Sequence, residues 1–468
     1  MLSERLENRP ILDVPKLALV ELAFPKNRPR RQQLRRTQQA PHVLGAIDLG
    51  QHISQGVDRV PRWYYHWIPK DWRNLTMPEQ ISRRETLRRG LSAASMLALA
   101  DWAIPALAQG DADVPFTDLP ANYNPGGAPG AATRQLDIRK IDGMLTPKDQ
   151  FFTTQHFMKP EIDPATYKLK FTGMVNKPAE FSLADLKAMK STELVNGFEC
   201  SGNSGRAIQG LSSCGRFTGV RLSTLLKQLG VNSRAREVVF FGTDRGSADV
   251  AFRQQTYKLD QQFGRSVALE HALKPEPLLA YAMNGDPLTL NQGFPVRLVM
   301  PGWYGVANVK WLSEVHLQED RYLGNYQARW YRTIRGVGGT GKDDDPQTQW
   351  VETEVTHMQL KSVIARVRKS AGAHQVVGFV LNDGTPLKSV EVQIDNGPWQ
   401  KATLDSANTQ YSWKLFTYRW EGATPGEHTL VSRVTDAEGT VQPTAAELKR
   451  KKTFLQDNGQ FPRKVMIA

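Results

Sequence analysis

The chain has 468 residues, of which 40% are hydrophobic and 9% aromatic, so we expect two or three packed domains and no wholesale disorder. The net charge of +13 is concentrated in residues 1–90, which carry 17 Lys and Arg against 9 Asp and Glu. The remainder is nearly balanced, without a basic stripe or zinc-finger spacing, and this argues against nucleic-acid binding. The two cysteines, Cys200 and Cys214, are too few for a disulfide framework; they can form one bridge or remain buried thiols.

Residues 77–108 predict a signal peptide for export. The paired Arg83 and Arg84 precede a mostly apolar stretch, residues 91–107, which ends in the small-x-small pattern of a cleavage site. Paired arginines are typical of the twin-arginine export route, so we expect a periplasmic protein that folds around a cofactor before export. The alternative is a short amphipathic or buried helix.

The position of this signal raises an expectation about the start of the chain. Signal peptides begin close to the first residue, and Met77 lies five residues before Ser82. We therefore expect translation to start at Met77 and residues 1–76 to be a non-native or disordered extension. Asp101 and Pro105 interrupt the apolar stretch, so we expect no stable membrane span in the mature protein.

The next segments predict an extended arm followed by an α+β domain. Residues 109–145 are rich in Gly, Pro, Ala and Asp, which is typical of an extended arm or loop. Residues 146–345 mix strand and helix patterns. Strands are predicted at residues 167–175, 238–242 and 296–300, one helix after the N-cap residue Ser182, and another at residues 222–229, ended by Gly230.

The pattern changes towards the C-terminus. Residues 335–349 contain four glycines and three aspartates and predict a linker. Beyond it, short strands alternate with turn signals at regular spacing. The strand patterns are residues 375–381, 390–394, 413–420 and 428–435. This spacing predicts an all-β, immunoglobulin-like sandwich over residues 355–468.

Cys200 lies in the run Val-Asn-Gly-Phe-Glu-Cys-Ser-Gly-Asn at residues 195–203. The small residues after it leave the sulfur beside backbone amides, which lower the pKa of a thiol, and a soft metal prefers the thiolate form. Such a cysteine can be a nucleophile, a redox thiol or a single metal ligand. Cys214 is fourteen residues away, so there is no Cys-x-x-Cys redox pair, and zinc would require further Cys or His ligands.

The segment Glu-Cys-Ser-Gly-Asn at 199–203 resembles the cysteine segment of the sulfite oxidase family, and further segments similar to that family follow in the same order. They are Phe-Phe-Thr-Thr-Gln-His at 151–156, Gly-Thr-Asp at 242–244, Leu-Leu-Ala-Tyr-Ala-Met-Asn-Gly-Asp-Pro-Leu at 278–288, Gly-Phe-Pro-Val-Arg at 293–297 and Asn-Val-Lys-Trp-Leu at 308–312. Residues 390–399 and 411–413 are similar to its dimerisation domain. The resemblance covers residues 145–468 and implies an α+β molybdopterin-binding domain of sulfite oxidase type, followed by an immunoglobulin-like dimerisation domain in a homodimer.

The resemblance implies a molybdenum cofactor with one pterin per metal atom. Cys200 is then the metal ligand and essential for catalysis. Arg297 and Lys310 suit the phosphate of the cofactor, the first by its planar fork and the second as a point charge. The other implied cofactor-binding residues are Phe152, Thr153, His156, Asp244, Gln292 (where many relatives carry His), Asn308 and Val309. Cys214 matches no ligand and is interpreted as structural.

Tyr331 lies twenty-one residues after Lys310, the interval at which the family places a tyrosine near the metal. The resemblance implies a role for Tyr331 in proton-coupled electron transfer. Tyr326 and Tyr322 are nearby competitors for this role.

The arginines that surround the substrate in sulfite-oxidising relatives are largely replaced here. Thr154 stands at the first of these positions and Gly205 at the second, with Arg206 adjacent. We assign Arg206 to catalysis, because an anion in a low-dielectric pocket needs a compensating charge. Further residues considered for these positions are Arg216 and, near the C-terminus, Lys452, Phe454 and Arg463.

The leading hypothesis is therefore oxidation of a small inorganic anion, sulfite, to sulfate by oxygen-atom transfer. The sequence contains neither a His-Pro-Gly-Gly haem segment nor Cys-x-x-Cys-His, so we expect no haem in this chain and a separate electron acceptor such as a cytochrome c. One alternative is a reductase of a sulfoxide or another oxyanion on the same cofactor. Another is a non-catalytic exported binding protein.

Overall fold

The computed structural model describes residues 112–120, 123–126, 133–370 and 372–468. The predicted extension at 1–76 and the predicted signal peptide at 77–108 lie outside these residues. The described residues fall in one compact unit. Within them, every helix is too short or too polar to cross a bilayer.

Strands make up most of the regular structure. Up to residue 354 the strands are β1 (Ala112–Val114), β2 (Lys168–Gly173), β3 (Ala179–Ser182), β4 (Thr192–Glu199), β5 (Ser212–Arg221), β6 (Glu237–Phe252), β7 (Gln255–Ala268), β8 (Leu278–Met283), β9 (Asp286–Pro287), β10 (Arg297–Val299), β11 (Leu312–Gln318), β12 (Arg332–Val337) and β13 (Gln349–Glu354), of which β1 joins a sheet of the second part. Those of the second part are β14 (Lys361–Ser370), β15 (Ala373–Leu381), β16 (Leu387–Ile394), β17 (Gln400–Lys401), β18 (Thr403–Leu404), β19 (Lys414–Trp420), β20 (Gly426–Asp436) and β21 (Arg463–Ile467).

Helices are few and short in the described part of the chain. The α-helices are α1 (Leu183–Ala188), α2 (Leu222–Leu229), α3 (Leu269–Ala272) and α4 (Asn325–Ala328). Single 3₁₀ turns occur at Ile138–Lys140, Gly205–Ala207, Leu290–Gln292, Gly305–Ala307 and Glu447–Arg450. The predicted α+β domain is therefore largely β-sheet.

Two five-stranded sheets build the first part. The cysteine sheet has the order β10-β8-β5-β4, with β9 paired to β8, and all its pairs are antiparallel. The second sheet has the order β3-β2-β11-β6-β7, in which only β2 and β11 are parallel. A shared apolar core joins α2 to both sheets, and four of the eight α2 residues are buried in it.

The second part is a sandwich of two sheets. The inner sheet has the order β1-β14-β15-β19-β18 and the outer sheet the order β17-β16-β20-β21. Apolar side chains from both sheets form the core between them. The opposite face of the inner sheet packs against the cysteine sheet through a cluster that includes Cys214, Phe379 and Trp413. The inner sheet is therefore covered on both faces, which explains why the first eight residues of β14 are all buried.

Local chemistry explains the helix boundaries that the sequence predicted. The hydroxyl of Ser182 accepts a hydrogen bond from the amide of Asp185 at 3.1 Å, and the Asp185 carboxylate accepts one from the Ser182 amide at 2.8 Å. This capping box starts α1. Helix α2 ends at Leu229, and Gly230 follows with φ of 71°, a conformation that glycine adopts without strain.

The predicted linker at 335–349 is wrong. Strands β12 and β13 pair antiparallel over six residues, and their pairing includes Arg335, Gly336, Val337 and Gln349. The other three glycines and the aspartates lie in the turn between the strands instead of in a connection between domains. The Asp345 carboxylate accepts hydrogen bonds from backbone amides of this turn, such as that of Gln347 at 2.9 Å, as short polar side chains do in turns.

Candidate active site

Cys200 is the first residue after β4 and opens a tight turn. Its amide donates to the Leu211 carbonyl at 2.9 Å, and its carbonyl accepts from the Asn203 amide at 2.9 Å. Leu211 directly precedes β5, whose Ser212 is paired with Glu199. The loop between β4 and β5 is thus tied at both ends, and the cysteine side chain points into a cleft.

The cleft encloses about 760 Å³. Segments that are far apart in the sequence meet there: the turn at 151–156, the end of β4, the 3₁₀ turns at 290–292 and 305–307, and Tyr331. Its lining residues are Phe151, Phe152, Thr153, Thr154, Gln155, His156, Phe198, Cys200, Asp244, Phe263, Asn291, Gln292, Arg297, Gly305, Val306, Asn308, Lys310, Trp311 and Tyr331. The structure therefore brings together nearly all of the predicted cofactor-binding residues.

Two cations face this cleft without an acidic partner. Arg297 is buried and donates to the carbonyls of Gln292 and Asn308, each at 3.1 Å. Lys310 donates to the carbonyl of Asn291 at 3.3 Å. Among the described residues, no carboxylate lies within ion-pair distance of either cation. Two cations held in this way form a site for an anion such as a phosphate.

The pKa of Lys310 is lowered to about 7, mainly by burial. The positive charge of Arg297 also lowers this pKa, and its effect is larger than the opposite effect of the Asp244 carboxylate. Because an anion binds the charged amine, we predict that the cofactor-free protein binds sulfate less tightly as the pH rises above 7. The affinity should fall up to about tenfold per pH unit, as expected for one linked proton. Titration calorimetry with sulfate between pH 6 and pH 9 measures this.

Two variants test the assignment to Lys310. Lys310→Met should remove the pH dependence of sulfate binding. Lys414→Met is the matched control, because Lys414 is also buried, with a pKa lowered to about 8, but lies outside the cleft. An unchanged pH dependence in Lys310→Met would contradict the prediction.

Several buried oxygen atoms of the cleft lack a hydrogen-bond partner in the described structure. They are Thr153 Oγ1, Gln155 Oε1 and Asp244 Oδ1. Burial raises the pKa of Asp244 to about 6, and a side chain at Gly242 would collide with its carboxylate. Buried acceptors normally have a hydrogen-bond partner, so these atoms are suited to accept hydrogen bonds from a bound molecule. With the two free cations they match the amino, amide and phosphate groups of a pterin cofactor.

His156 and Tyr331 form a pair at the edge of the cleft. The His156 Nε2 and Tyr331 hydroxyl lie 2.8 Å apart. Tyr326, one of the two competitors, stacks on His156 with ring centroids 4.2 Å apart, but it does not line the cleft. Burial raises the pKa of Tyr331, and the nearby Cys200 thiol raises it further, so its hydroxyl stays protonated at neutral pH.

The pKa of Cys200 departs from the sequence-based expectation. Burial raises the pKa of this thiol, and the hydrogen bond from the Gly202 amide only partly opposes the shift. The sequence showed the amides but not the burial, which favours the neutral form. A soft metal would nonetheless take the thiolate, because a coordinated thiol loses its proton.

The residues considered for substrate arginines are mostly engaged elsewhere. Arg216 lies 3.9 Å from Glu193. Arg463 is fully buried, 2.9 Å from Asp118. Lys452 pairs with Asp343 at 2.6 Å, and among all these positions only Thr154 lines the cleft.

Arg206 lines a second, wider cavity of about 1670 Å³ and not the cleft. This cavity is formed by the cysteine loop and residues 445–462. Gly202 also lines this cavity, and a Cβ at this position would lie 3.8 Å from the Cys200 sulfur and 3.4 Å from the Phe454 ring, so the cavity reaches close to the cysteine. Arg206 itself is exposed and makes no ion pair within the described residues.

Val309, a predicted cofactor-binding residue, does not line the cleft. Its side chain lies in the apolar core, 1% exposed, and its carbonyl accepts from the Leu298 amide at 2.8 Å. Neighbouring residues of an extended segment point in opposite directions, so Asn308 and Lys310 reach the cleft while Val309 faces away. Sequence reasoning missed Phe263 and Asn291, which lie outside the matching segments.

Comparisons with known proteins agree with this geometry. The family model described as "Oxidoreductase molybdopterin binding domain" matches residues 156–326. Mitochondrial sulfite oxidase of Mus musculus is 28% identical over 337 residues, covering 64% of this chain and 58% of that protein. An NADH nitrate reductase of Ulva prolifera is 32% identical over 199 residues, covering 39% of this chain and 22% of that protein.

A solved structure shares the fold. The sulfane dehydrogenase SoxCD of Paracoccus pantotrophus matches with a TM-score of 0.60 and 22% identity, over 76% of this chain and 91% of that chain. Fold, cleft and relatives together define a molybdopterin-binding oxidoreductase. The chain is similar to members of the sulfite oxidase family, and residues 156–326 match the molybdopterin-binding domain. It spans less than two thirds of the length of the mammalian relatives.

Proposed function

We propose that this enzyme oxidises sulfite to sulfate and passes the electrons to a separate acceptor. The observation that carries the proposal is one cleft that combines a single cysteine, two cations without acidic partners and a protonated tyrosine. When bound, a molybdenum cofactor supplies the oxygen-atom-transfer chemistry, and the protein binds and orients it.

Six residues of the cleft have a role in this proposal. Cys200 binds the metal through its thiolate, with one pterin per metal atom. Arg297 and Lys310 hold the phosphate, and the Asp244 carboxylate accepts from donors of the pterin. Tyr331 holds a proton beside the metal position, oriented by its 2.8 Å contact with His156.

Arg206 is proposed to attract the anionic substrate through the second cavity. It is exposed there, and Gly202, which lines the same cavity, lies close to the Cys200 sulfur. Such a charge accelerates and strengthens capture of an anion without taking part in the reaction. The variant Arg206→Met should therefore raise KM for sulfite and leave kcat unchanged.

The proposal also covers the sandwich, the electron acceptor and the compartment. The inner and outer sheets follow the strand orders of an immunoglobulin-like sandwich, and we propose that it joins two chains in a homodimer. The sequence lacks haem-attachment segments, so a cytochrome c is the proposed acceptor. The twin-arginine pattern supports a periplasmic location.

A second function uses the same cofactor in the reducing direction, on a sulfoxide or another oxyanion. The observation that favours it is Thr154, which lines the cleft where sulfite-oxidising relatives carry arginine. A cleft with fewer cations on the substrate side accepts a neutral substrate more readily. One of the relatives is also a reductase of an oxyanion by name.

Steady-state assays separate the two functions. Sulfite with cytochrome c as acceptor should give turnover, whereas a sulfoxide with a reduced viologen should give little. Metal analysis of the same sample should show about one molybdenum per chain, as one cysteine ligand requires. Turnover only in the viologen assay would overturn sulfite oxidation, and a chain without molybdenum would overturn both functions.

A further inference from the structure

The inner sheet of the sandwich contacts the strand that carries the cysteine. The Gly197 amide of β4 donates to the Tyr411 carbonyl at 2.7 Å. A side chain at Gly197 would begin 2.8 Å from the Trp413 backbone nitrogen, so only glycine allows this approach. The sandwich therefore packs directly behind the strand whose end presents Cys200.

Lys361, at the start of β14, reaches from the sandwich to this strand. Its ammonium group lies 2.5 Å from Glu199 Oε1 and 3.0 Å from Gln209 Oε1. The side chains of Lys361 and Glu199 are each 1% exposed. Glu199 directly precedes Cys200, so the ion pair ends one residue from the thiol.

The same carboxylate is linked to the rest of the cysteine loop. Asn203 donates to Glu199 Oε1 at 3.0 Å and to the Gln209 carbonyl at 3.2 Å. The side-chain oxygen of Asn203 accepts from the Leu211 amide at 3.0 Å. Lys361 therefore holds both ends of the loop between β4 and β5, through Glu199 at one end and Gln209 at the other.

Stability alone is a weak reason for this arrangement. The free energy needed to remove two charges from water cancels most of the free energy gained from their attraction. An apolar pair of the same size often stabilises a fold equally well. Glu199 Oε2 also has no partner among the described residues, which adds a further cost. A buried ion pair is better suited to fixing one arrangement of the segments that it joins.

We propose that Lys361 is a positioning residue, which fixes the cysteine loop through Glu199 and Gln209 and so makes the sandwich part of the metal site. The sandwich then has a role within each chain, independent of any role in joining two chains. The inference rests on the proposed function to the extent that Cys200 is the metal ligand. The fixing of the loop itself can be measured without the metal.

The test compares hydrogen exchange in the full chain, with and without cofactor. The variants are Lys361→Met, Glu199→Gln and the double variant with both changes. We expect amides of residues 200–211 to exchange about tenfold faster or more in Lys361→Met, because local opening loses its restraint. Amides of β15, on the same sheet, should change much less.

The double variant separates positioning from stability. It removes both charges, so the free energy of unfolding should recover towards wild type, since no unpaired charge stays buried. The loop should nevertheless keep its faster exchange. In the loaded enzyme, the absorption band of the sulfur–molybdenum bond should shift in all three variants. Lys361→Arg, which keeps the charge, should restore part of the slow exchange.

A matched ion pair provides the control. Arg463 and Asp118 are 0% and 19% exposed, and neither is part of the cysteine loop or bonded to it. The pair of changes Arg463→Met and Asp118→Asn should leave exchange at 200–211 and the absorption band unchanged. The proposal is overturned if this control speeds exchange of the loop equally, or if the double variant restores slow exchange together with stability.

Failure of the proposed function gives a different experimental result from failure of the positioning role of Lys361. Wild-type protein without molybdenum would refute the role of Cys200, while faster loop exchange in Lys361→Met would still demonstrate the restraint.

Discussion

A Cys200→Ser variant is expected to lose turnover, with kcat reduced by more than about 10²-fold, the loss seen when even outer-shell partners of a metal are removed. The side chain of Cys200 lines the same cleft as the two cations and the unsatisfied acceptors. A serine hydroxyl is a harder ligand and keeps its proton, so it is a poor substitute for a thiolate. Molybdenum content, pterin content and kcat are measured on the same sample.

The pterin content of Cys200→Ser shows how much of the cofactor's binding depends on the cysteine and how much depends on the residues proposed to hold its phosphate and pterin. Arg297, Lys310 and Asp244 are untouched by the change, so pterin retention should exceed metal retention. Cys214→Ala is the control, because Cys214 is fully buried in the core between the two parts of the chain. It should cost about 1 kcal/mol of unfolding free energy and leave turnover per molybdenum unchanged. Full activity in Cys200→Ser would refute the assignment of the metal ligand.

A Tyr331→Phe variant is expected to keep its cofactor but to turn over about 10²-fold more slowly, the contribution typical of one positioned proton donor or acceptor. The hydroxyl lies 2.8 Å from His156 Nε2 and is the only part of the side chain that the change removes. Binding of the cofactor does not depend on this hydroxyl in our proposal. Steady-state kcat and molybdenum content, measured together, test the prediction.

Tyr326→Phe is the matched control for this experiment. Tyr326 packs on the same histidine ring, but it is buried at 4% exposure and does not line the cleft. Its loss of a hydroxyl should leave kcat within a few-fold of wild type. Equal losses of kcat in the two variants would show that turnover depends on the packing around His156 and not on the proton of Tyr331.

Local signals in the sequence were sufficient for many elements of the fold. Helix α2 begins and ends where its apolar periodicity and Gly230 predicted. The Ser182 cap likewise starts α1. Such features depend on neighbours within one or two turns, so the sequence contains the information directly. The predicted linker failed because glycines and aspartates are equally typical of a hairpin turn.

The ordered set of motifs also predicted most residues of the cleft. Cys200, Arg297 and Lys310 line it although they lie far apart in the sequence. Motif positions did not reveal which way a side chain faces. Val309 points into the core, and Arg206 opens into a different cavity, because backbone alternation and loop geometry decide these directions.

The sequence by itself determined the similarity to the sulfite oxidase family and the cofactor class, and it singled out the cysteine that we propose as the metal ligand. Only the tertiary structure decided the direction in which the pKa of that cysteine shifts and which distant residues contact its loop. Burial reverses the expected direction of the Cys200 pKa shift. Lys361, 161 residues away from Cys200 in the sequence, bonds Glu199, the residue directly before this cysteine. Both are effects of desolvation and long-range packing, which arise from groups brought together by the fold and leave no local pattern in the chain.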